Sequence, residues 1–190
     1  TDLEGARKAF QPSRSVCRSL LFAILGDYEN GARYALKLGD TVLADASGAI
    51  VLLVEPFFRS ISLYAMARRT KKAQYKRHAR KARKIVQTWL AKGNPNVIHQ
   101  AYILDAEDAA LCGKKKATKA LYQKAISTAA RSGCPRDAGL ASERYADFLM
   151  RHANDTENAK YRLEEAIRYY GDWGAERKVR LLRQARRTVD

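Results

Sequence analysis

The sequence predicts an all-α fold of about nine antiparallel helices, and three observations support that class. Alanine, leucine, lysine and arginine, which favour helices, are abundant among the 190 residues, and only four prolines interrupt them. Apolar residues recur at intervals of three and four along most of the chain. No Asn-Gly or Asp-Gly turn lies between alternating apolar runs, so the pattern predicts no β-hairpin.

Each predicted helix ends at a glycine, a proline or a short polar turn, and such short connections place successive helices antiparallel. Ser13 or Ser15 caps the first helix, and Pro56 suits the first turn of the third because its missing N–H is not needed there. Residues 46–54 are ambiguous, since the β-branched run at 50–54 could be extended. The helices are predicted to span approximately residues 13–25, 28–45, 56–68, 72–92, 97–112, 115–132, 135–152, 156–170 and 175–187.

Two segments in the C-terminal half share a pattern. Residues 122–126 (Tyr-Gln-Lys-Ala-Ile) align with residues 163–167 (Leu-Glu-Glu-Ala-Ile) at a separation of 41 residues, each in the second helix of a predicted pair. Ala159, Leu163 and Ala166 have the spacing of the second helix of a tetratricopeptide repeat, where small residues let helices approach closely. The turn at 26–29 resembles that repeat too, although Gly31 replaces the expected alanine. The period of about 34 residues is not kept, so the prediction is a divergent tetratricopeptide-like α-superhelix.

The strongest charge feature is a basic run at residues 68–84, which holds ten Lys or Arg residues and no acidic residue. The formal net charge of +16 predicts an acidic partner, which could be nucleic acid, an anionic membrane surface or an acidic protein face. Most of the run is expected on the solvent face of the fourth helix, opposite Ile85 and Trp89. One interpretation is an anion-binding stripe, and the other is a solvated face that aids solubility. The candidate binding residues are Arg69, Lys72, Lys76, Arg77, Arg80, Lys81 and Lys84.

Signals of catalysis, metal binding and cofactor binding are missing from the sequence. Cys17, Cys112 and Cys134 are far apart and odd in number, which predicts three reduced, mostly buried thiols and favours a reducing compartment. The three histidines are isolated, and no pair has metal-ligand spacing. No phosphate-binding glycine loop, kinase motif or phospho-acceptor histidine context is present. We therefore expect no catalytic residue, no metal and no cofactor.

Three groups of segments together resemble one family of proteins. They are Asn94-Pro95-Asn96 with residues 104–107, residues 121–126 with 138–144, and residues 166–170 with Trp173-Gly174-Ala175 and Lys178-Val179. In this order the segments are similar to the helical region of large bacterial-type multi-sensor signalling kinases, which also occur in some algae. In those proteins an AAA-type ATPase core precedes a tetratricopeptide-like region, and sensor and histidine-kinase domains often follow it. The resemblance covers about residues 15–185 and implies a helical module that senses or transmits between other domains.

We expect one helical-repeat domain over 1–190, with a linker at 1–12, N-terminal helices at 13–93 and C-terminal repeat pairs at 94–190. The expected function is a non-catalytic protein-interaction or signal-coupling scaffold. The alternative is a basic structural subunit of a large assembly that binds nucleic acid through a helix at 68–84. No apolar run is long enough to cross a membrane, and we expect an intracellular, cytoplasmic protein. Because the chain opens with Thr1 rather than Met, we expect a processed or truncated form, and an organelle stays an alternative.

Overall fold

A computed structural model of the protein describes residue 14 and residues 16–39 and 54–187. Over these residues the fold is all-α, with nine helices and no strand, which confirms the predicted class. The chain forms two compact units, Thr1–Trp89 and Leu90–Asp190, and each is described by itself. The helices are α1 (16–25), α2 (Tyr28–Leu38), α3 (Glu55–Thr70), α4 (Ala73–Ala91), α5 (Ile98–Leu111), α6 (Lys115–Arg131), α7 (Pro135–Phe148), α8 (Thr156–Asp172) and α9 (Glu176–Arg187).

Helix α3 is the buried centre of the first unit. Every residue from Glu55 to Arg68 is buried, although only the apolar side of this helix was expected to face inward. Three of the buried residues are charged, namely Glu55, Arg59 and Arg68, and Glu55 forms an ion pair with Arg59 at 3.3 Å between Oε2 and Nε. The Ser19 hydroxyl of α1 donates a hydrogen bond to Glu55 Oε1 at 3.3 Å. A buried carboxylate needs such partners, because burial without them costs several kcal/mol.

Helix α2 packs closely on α3, and Gly31 makes this approach possible. A Cβ atom at Gly31 would lie 2.9 Å from the Cβ atoms of both Phe22 and Ser62. Such distances are shorter than van der Waals contact, so alanine at this position would push the helices apart. The glycine that interrupts the expected repeat pattern is therefore required by the packing.

The second helix was predicted to reach residue 45, but α2 ends at Leu38. Gly39 turns the chain out of the helix, with a φ of 58° and its N–H bonded to the Ala35 carbonyl at 3.1 Å. The Ala35 carbonyl is thereby satisfied at the helix end. The predicted linker at 1–12 and residues 40–53, which include most of the ambiguous segment 46–54, lie outside the described residues.

The basic run at 68–84 is not one helix. Helix α3 ends at Thr70, and Lys71 adopts a left-handed conformation with a φ of 60°. The Lys71 N–H bonds to the Ala67 carbonyl at 3.0 Å, and the Thr70 hydroxyl bonds to the Met66 carbonyl at 2.8 Å, so the end of α3 is well satisfied. Helix α4 then begins at Ala73. The expected helix at 68–84 is thus corrected to the last turn of α3, a short connection and the first part of α4.

The second unit has an inner and an outer set of helices. Nine of the 14 residues of α5 and ten of the 14 residues of α7 are buried, whereas only five of 17 in α6 and four of 17 in α8 are buried. Each helix from α5 to α9 packs on the next, and α5 also contacts α7. Helices α5 and α7 therefore form the inner set, and α6 and α8 each bury one face against it.

The connections within the second unit are tight helix ends. Gly113 and Gly133 have φ angles of 71° and 66°, a conformation that favours glycine because it has no Cβ atom. The residue after each glycine donates its N–H to a carbonyl five positions earlier, at 3.0 Å for Lys114 and 2.9 Å for Cys134. These bonds are typical of the Schellman motif, and they let the next helix begin within three residues.

The cysteines are more exposed than the sequence predicted. Cys17 and Cys112 are exposed, Cys134 is half-buried, and none of the three forms a disulfide. Cys112 directly follows α5, and Cys134 directly precedes α7. The expectation of mostly buried thiols is therefore wrong. In addition, none of the helices formed by the described residues has the length and apolar character that a membrane span requires.

Candidate functional site

Helix α4 carries the most concentrated charge of the described residues. Lys76, Arg77, Arg80, Lys81 and Lys84 follow the spacing i, i+1, i+4, i+5 and i+8, which places all five on one side of an α-helix. We call these five residues the α4 basic face. The buried residues Ala79, Ala82 and Val86 lie on the opposite side. The predicted amphipathic character of this helix is confirmed, although Ile85 and Trp89 are only half-buried.

The α4 basic face is open to solvent, and three of its five cations form no ion pair within the described residues. Four of its five residues are exposed and Lys76 is half-buried. In the described part of the chain, Lys76, Arg77 and Lys84 form no ion pair. The surrounding sequence supplies no acid either, because the residues between Glu55 and Asp105 include 12 Lys or Arg and no Asp or Glu.

Like charges lie close together along this face. Five pairs within it, such as Lys76 with Arg80 and Arg77 with Lys81, lie three or four residues apart. An uncompensated like-charge pair of this kind costs about 0.2–0.5 kcal/mol at low salt. The positive N-terminal end of the helix dipole adds to the cost, since no acidic residue lies in the first turn. A bound anion would relieve this repulsion.

The structure separates the remaining candidate residues from that face. Arg69 is exposed on the last turn of α3, and Lys72 is exposed in the connection before α4. Arg68, which belongs to the same basic run, is only 7% exposed and lies in the buried part of α3. Five of the seven candidates therefore share one helix face, and the other two flank it in the chain.

A buried ion pair joins three helices of the second unit. Glu107 of α5 accepts hydrogen bonds from Arg144 of α7, at 2.7 Å from Nε and 3.4 Å from Nη2. The Tyr122 hydroxyl of α6 donates to the same carboxylate at 2.9 Å. Glu107 and Arg144 are 0% and 3% exposed, so the Glu107 carboxylate depends on its partners, and Arg144 Nη1 also lies 3.7 Å from Asp147 Oδ2. Sequence analysis missed this cluster, since its members lie 15 and 37 residues apart.

A second cluster has a similar composition and joins the next three helices. Glu143 of α7 accepts a hydrogen bond from the Tyr170 hydroxyl of α8 at 3.0 Å and from Lys178 of α9 at 2.7 Å. In both clusters one helix gives the acid, the next gives the tyrosine and the third gives the cation. The ring of Tyr170 also rests on Gly139, where a Cβ would approach it to 3.2 Å. These arrangements fix helices against one another.

A third buried cluster surrounds the carboxylate of Asp137 at the start of α7. His99 Nε2 lies 2.8 Å from Asp137 Oδ2, and Gln100 and Arg136 donate to the same carboxylate at 3.3 and 2.6 Å. Burial by itself would raise the pKa of Asp137, but the hydrogen bonds from His99 and Arg136 outweigh it and lower the pKa to about 2. Asp137 therefore stays ionised as an anchor between α5 and α7.

The carboxylates of Glu107 and Asp137 are 0% and 1% exposed, so they face their hydrogen-bond partners inside the helix layers. The described residues also line an open depression of about 600 Å³ at the start of α6, with Lys114, Lys115, Lys116, Ala117 and Ala120 around it. That lining contains no carboxylate, imidazole, thiol or hydroxyl. Among the residues that the structure describes, no group of three His, Cys, Asp or Glu side chains could hold a metal ion.

Comparison with known proteins gives no relative from which a function could be transferred. No protein-family model matches the chain, and neither curated proteins nor solved structures give a significant match. The resemblance to the helical region of multi-sensor signalling kinases therefore stays a prediction.

Proposed function

We propose that this chain is a non-catalytic interaction scaffold of tetratricopeptide-like helical pairs, which contacts an acidic partner through the α4 basic face. The proposal has two parts, a repeated helical framework and a charged contact surface. Coupling between domains of a larger signalling protein, which the family resemblance implies, is one use of such a scaffold.

The observation that carries the proposal is a recurrence of buried positions in the two outer helices of the second unit. Thr118, Tyr122, Ala125 and Ala129 are buried in α6, and the four buried residues of α8 lie 41 residues after them, one for one. Those residues are Ala159, Leu163, Ala166 and Tyr170. Ile126 is also buried in α6, whereas Ile167, 41 residues later, is half-buried. A burial pattern that recurs at four positions on two outer helices is typical of stacked helical pairs, in which each pair buries its apolar face against its neighbours.

The surface part of the proposal follows from where the charge lies. Ion pairs neutralise much of the charge that the second unit carries, for example Lys119 with Asp155 at 3.0 Å and Arg186 with Glu164 at 2.7 Å. The α4 basic face contrasts with this, because Lys76, Arg77 and Lys84 have no such partner within the described residues. A partner with matching negative charge would bind there by electrostatic complementarity.

The test is a capture experiment with the full chain in three forms. They are the unaltered protein, the face variant Lys76→Gln/Arg77→Gln/Lys84→Gln, and the control variant Lys115→Gln/Lys116→Gln/Lys124→Gln. Both variants remove three lysine or arginine charges, but only the first alters the α4 basic face. After chemical cross-linking in a lysate, bound proteins are quantified by mass spectrometry and bound nucleic acid by sequencing.

We expect acidic partners, whether protein or nucleic acid, to be captured by the unaltered chain and the control variant. The amount of these partners that the face variant captures should be lower by about tenfold or more, since three charge contacts at about 0.5–1 kcal/mol each correspond to that factor in affinity. Equal capture by all three forms would refute the contact surface. Turnover of a substrate by the purified chain would refute the non-catalytic part.

A further inference from the structure

We propose that the partner of the α4 basic face is double-stranded nucleic acid, which it binds through the phosphate backbone without reading base sequence. This inference rests on the proposed function and names the class of the acidic partner. It concerns DNA and RNA duplexes alike, because the shared chemistry is a regular row of phosphates.

The spacing of charge on the face suits such a row. Lys76 and Lys84 are eight residues apart, which corresponds to about 12 Å along an α-helix. A DNA duplex carries one negative charge per about 1.7 Å of its axis, so roughly seven phosphates pass within that length. Lys76, Arg77 and Lys84, which form no ion pair within the described residues, can therefore contact phosphates simultaneously, and each contact would release a bound counterion.

The composition of the face argues against a protein partner. Protein interfaces are anchored by aromatic and arginine residues in desolvated pockets, and lysine is depleted from them. Three of the five residues are lysines and none is aromatic. The nearest aromatic residues of the helix, Tyr75 and Trp89, are half-buried and do not belong to the face. Long, flexible, strongly hydrated lysine side chains suit phosphates, which need only a positive charge within reach.

The composition of the face also favours a duplex over two other polyanions, a single strand and an anionic membrane. Single strands are held by base stacking on aromatic side chains, which this face does not provide. Stable anchoring on an anionic membrane takes an inserted apolar side or a lipid chain in addition to basic charge. On α4 that side contains Ala79, Ala82 and Val86, which are 0–2% exposed and already packed within the protein. The face can supply charge alone, and a duplex needs only charge.

The experiment measures binding of the purified full chain to fluorescent 24-base-pair DNA and RNA duplexes of mixed sequence, by anisotropy at 50–200 mM salt. The three removed cations of the face variant, Lys76→Gln/Arg77→Gln/Lys84→Gln, together supply a slope of about −2.7 in a plot of log affinity against log salt. Over this fourfold range, affinity for the unaltered chain should therefore fall about 40-fold more than affinity for the face variant. Exchanging the duplex sequence should change affinity less than about threefold.

The matched control is Lys115→Gln/Lys116→Gln/Lys124→Gln, which lowers the net charge equally and should keep most of the salt slope. Circular dichroism checks that both variants stay helical, and removing like charges from α4 should not unfold it. If the control loses as much slope as the face variant, binding reflects net charge alone and the inference is overturned.

Three further probes identify the actual partner if the inference fails. They are a single strand of equal length, vesicles with 30% phosphatidylserine, and poly-glutamate as an acidic polypeptide. Tighter binding of any of these than of the duplexes would overturn the inference. If duplexes do not bind but lysate proteins are still lost from the face variant, only this inference fails. If neither is observed, the proposed function fails as well.

Discussion

Breaking the buried ion pair between Glu107 and Arg144 should destabilise the second unit strongly. The variant Arg144→Met replaces a charged side chain that is 3% exposed with an apolar side chain of similar length. It removes hydrogen bonds of 2.7 and 3.4 Å and leaves the Glu107 carboxylate buried with fewer partners. Removing one partner of a buried pair typically costs about 3–5 kcal/mol. Because the second hydrogen bond is long, we expect about 3–4 kcal/mol at neutral pH.

The double variant Glu107→Gln/Arg144→Met tests the cause of that loss. The amide that Glu107→Gln introduces is uncharged, and its oxygen can still accept the hydrogen bond that Tyr122 donates at 2.9 Å. The double variant should therefore lose only about 1–2 kcal/mol, because no charge remains buried without its guanidinium partner. The second substitution would thus restore part of the stability that the first removes.

The assay is urea unfolding followed by tryptophan fluorescence. The protein has two tryptophans, and Trp173 becomes the only one when Trp89 is replaced by Phe. In the Trp89→Phe background, the fluorescence of Trp173 reports unfolding of the second unit alone. The measurement is therefore valid even if the two units unfold in separate transitions. A double variant as unstable as Arg144→Met, or less stable, would refute the reasoning, since the lost stability would then not arise from an unpaired buried charge.

Three further predictions concern other parts of the chain. The pKa of Asp137 is lowered from 3.8 to about 2, so the ionised carboxylate stabilises the fold by about 2 kcal/mol. This stabilisation should be complete above pH 5 and be lost as the pH falls from 4 to 2. Urea titrations should show this loss in the unaltered chain and not in Asp137→Asn. Gly31→Ala should destabilise the protein by about 1–3 kcal/mol in urea unfolding, whereas Gly171→Ala, with open space around a helical glycine, should stabilise it by up to about 1 kcal/mol. With a chromogenic disulfide reagent, Cys134 should react more slowly than the other two thiols, because burial and then the charge of Asp137 raise its pKa. Three equal rates, or a slow thiol at another position, would contradict that last prediction.

Local signals in the sequence were enough to predict the class of fold and most helix ends. Pro56 and Pro135 lie at the first turns of α3 and α7, as their missing N–H groups allow. Gly113 and Gly133 end helices where the sequence placed breaks. Such features depend on a few adjacent residues. The end of α2 was misjudged, since the apolar residues after Gly39 continue a helical pattern beyond the point where α2 ends.

The buried charges could not be predicted in the same way. Glu107, Arg144 and Lys178 are buried, and their partners are 35–37 residues away in the sequence. No periodic pattern contains that information. Arg59 and Arg68 were missed for a related reason, because α3 is enclosed on all sides and its polar residues are buried with its apolar ones. The α4 basic face was predicted, since charge density and helical spacing are both local properties.

In both ion-pair clusters the cation lies later in the sequence than the acid, and this order has a consequence for folding during synthesis on the ribosome. The cation that neutralises Glu107 is on α7, and the cation that neutralises Glu143 is on α9. A nascent chain that ends after α6 would hold a carboxylate whose counter-charge has not yet been translated, and the same is true after α8. Helices α5 and α6 therefore cannot reach their final packing before α7 is present, and helices α7 and α8 cannot reach theirs before α9 is present. The second unit should therefore complete its folding only when α9 has emerged, and chains released before that point should be substrates for chaperones and proteases.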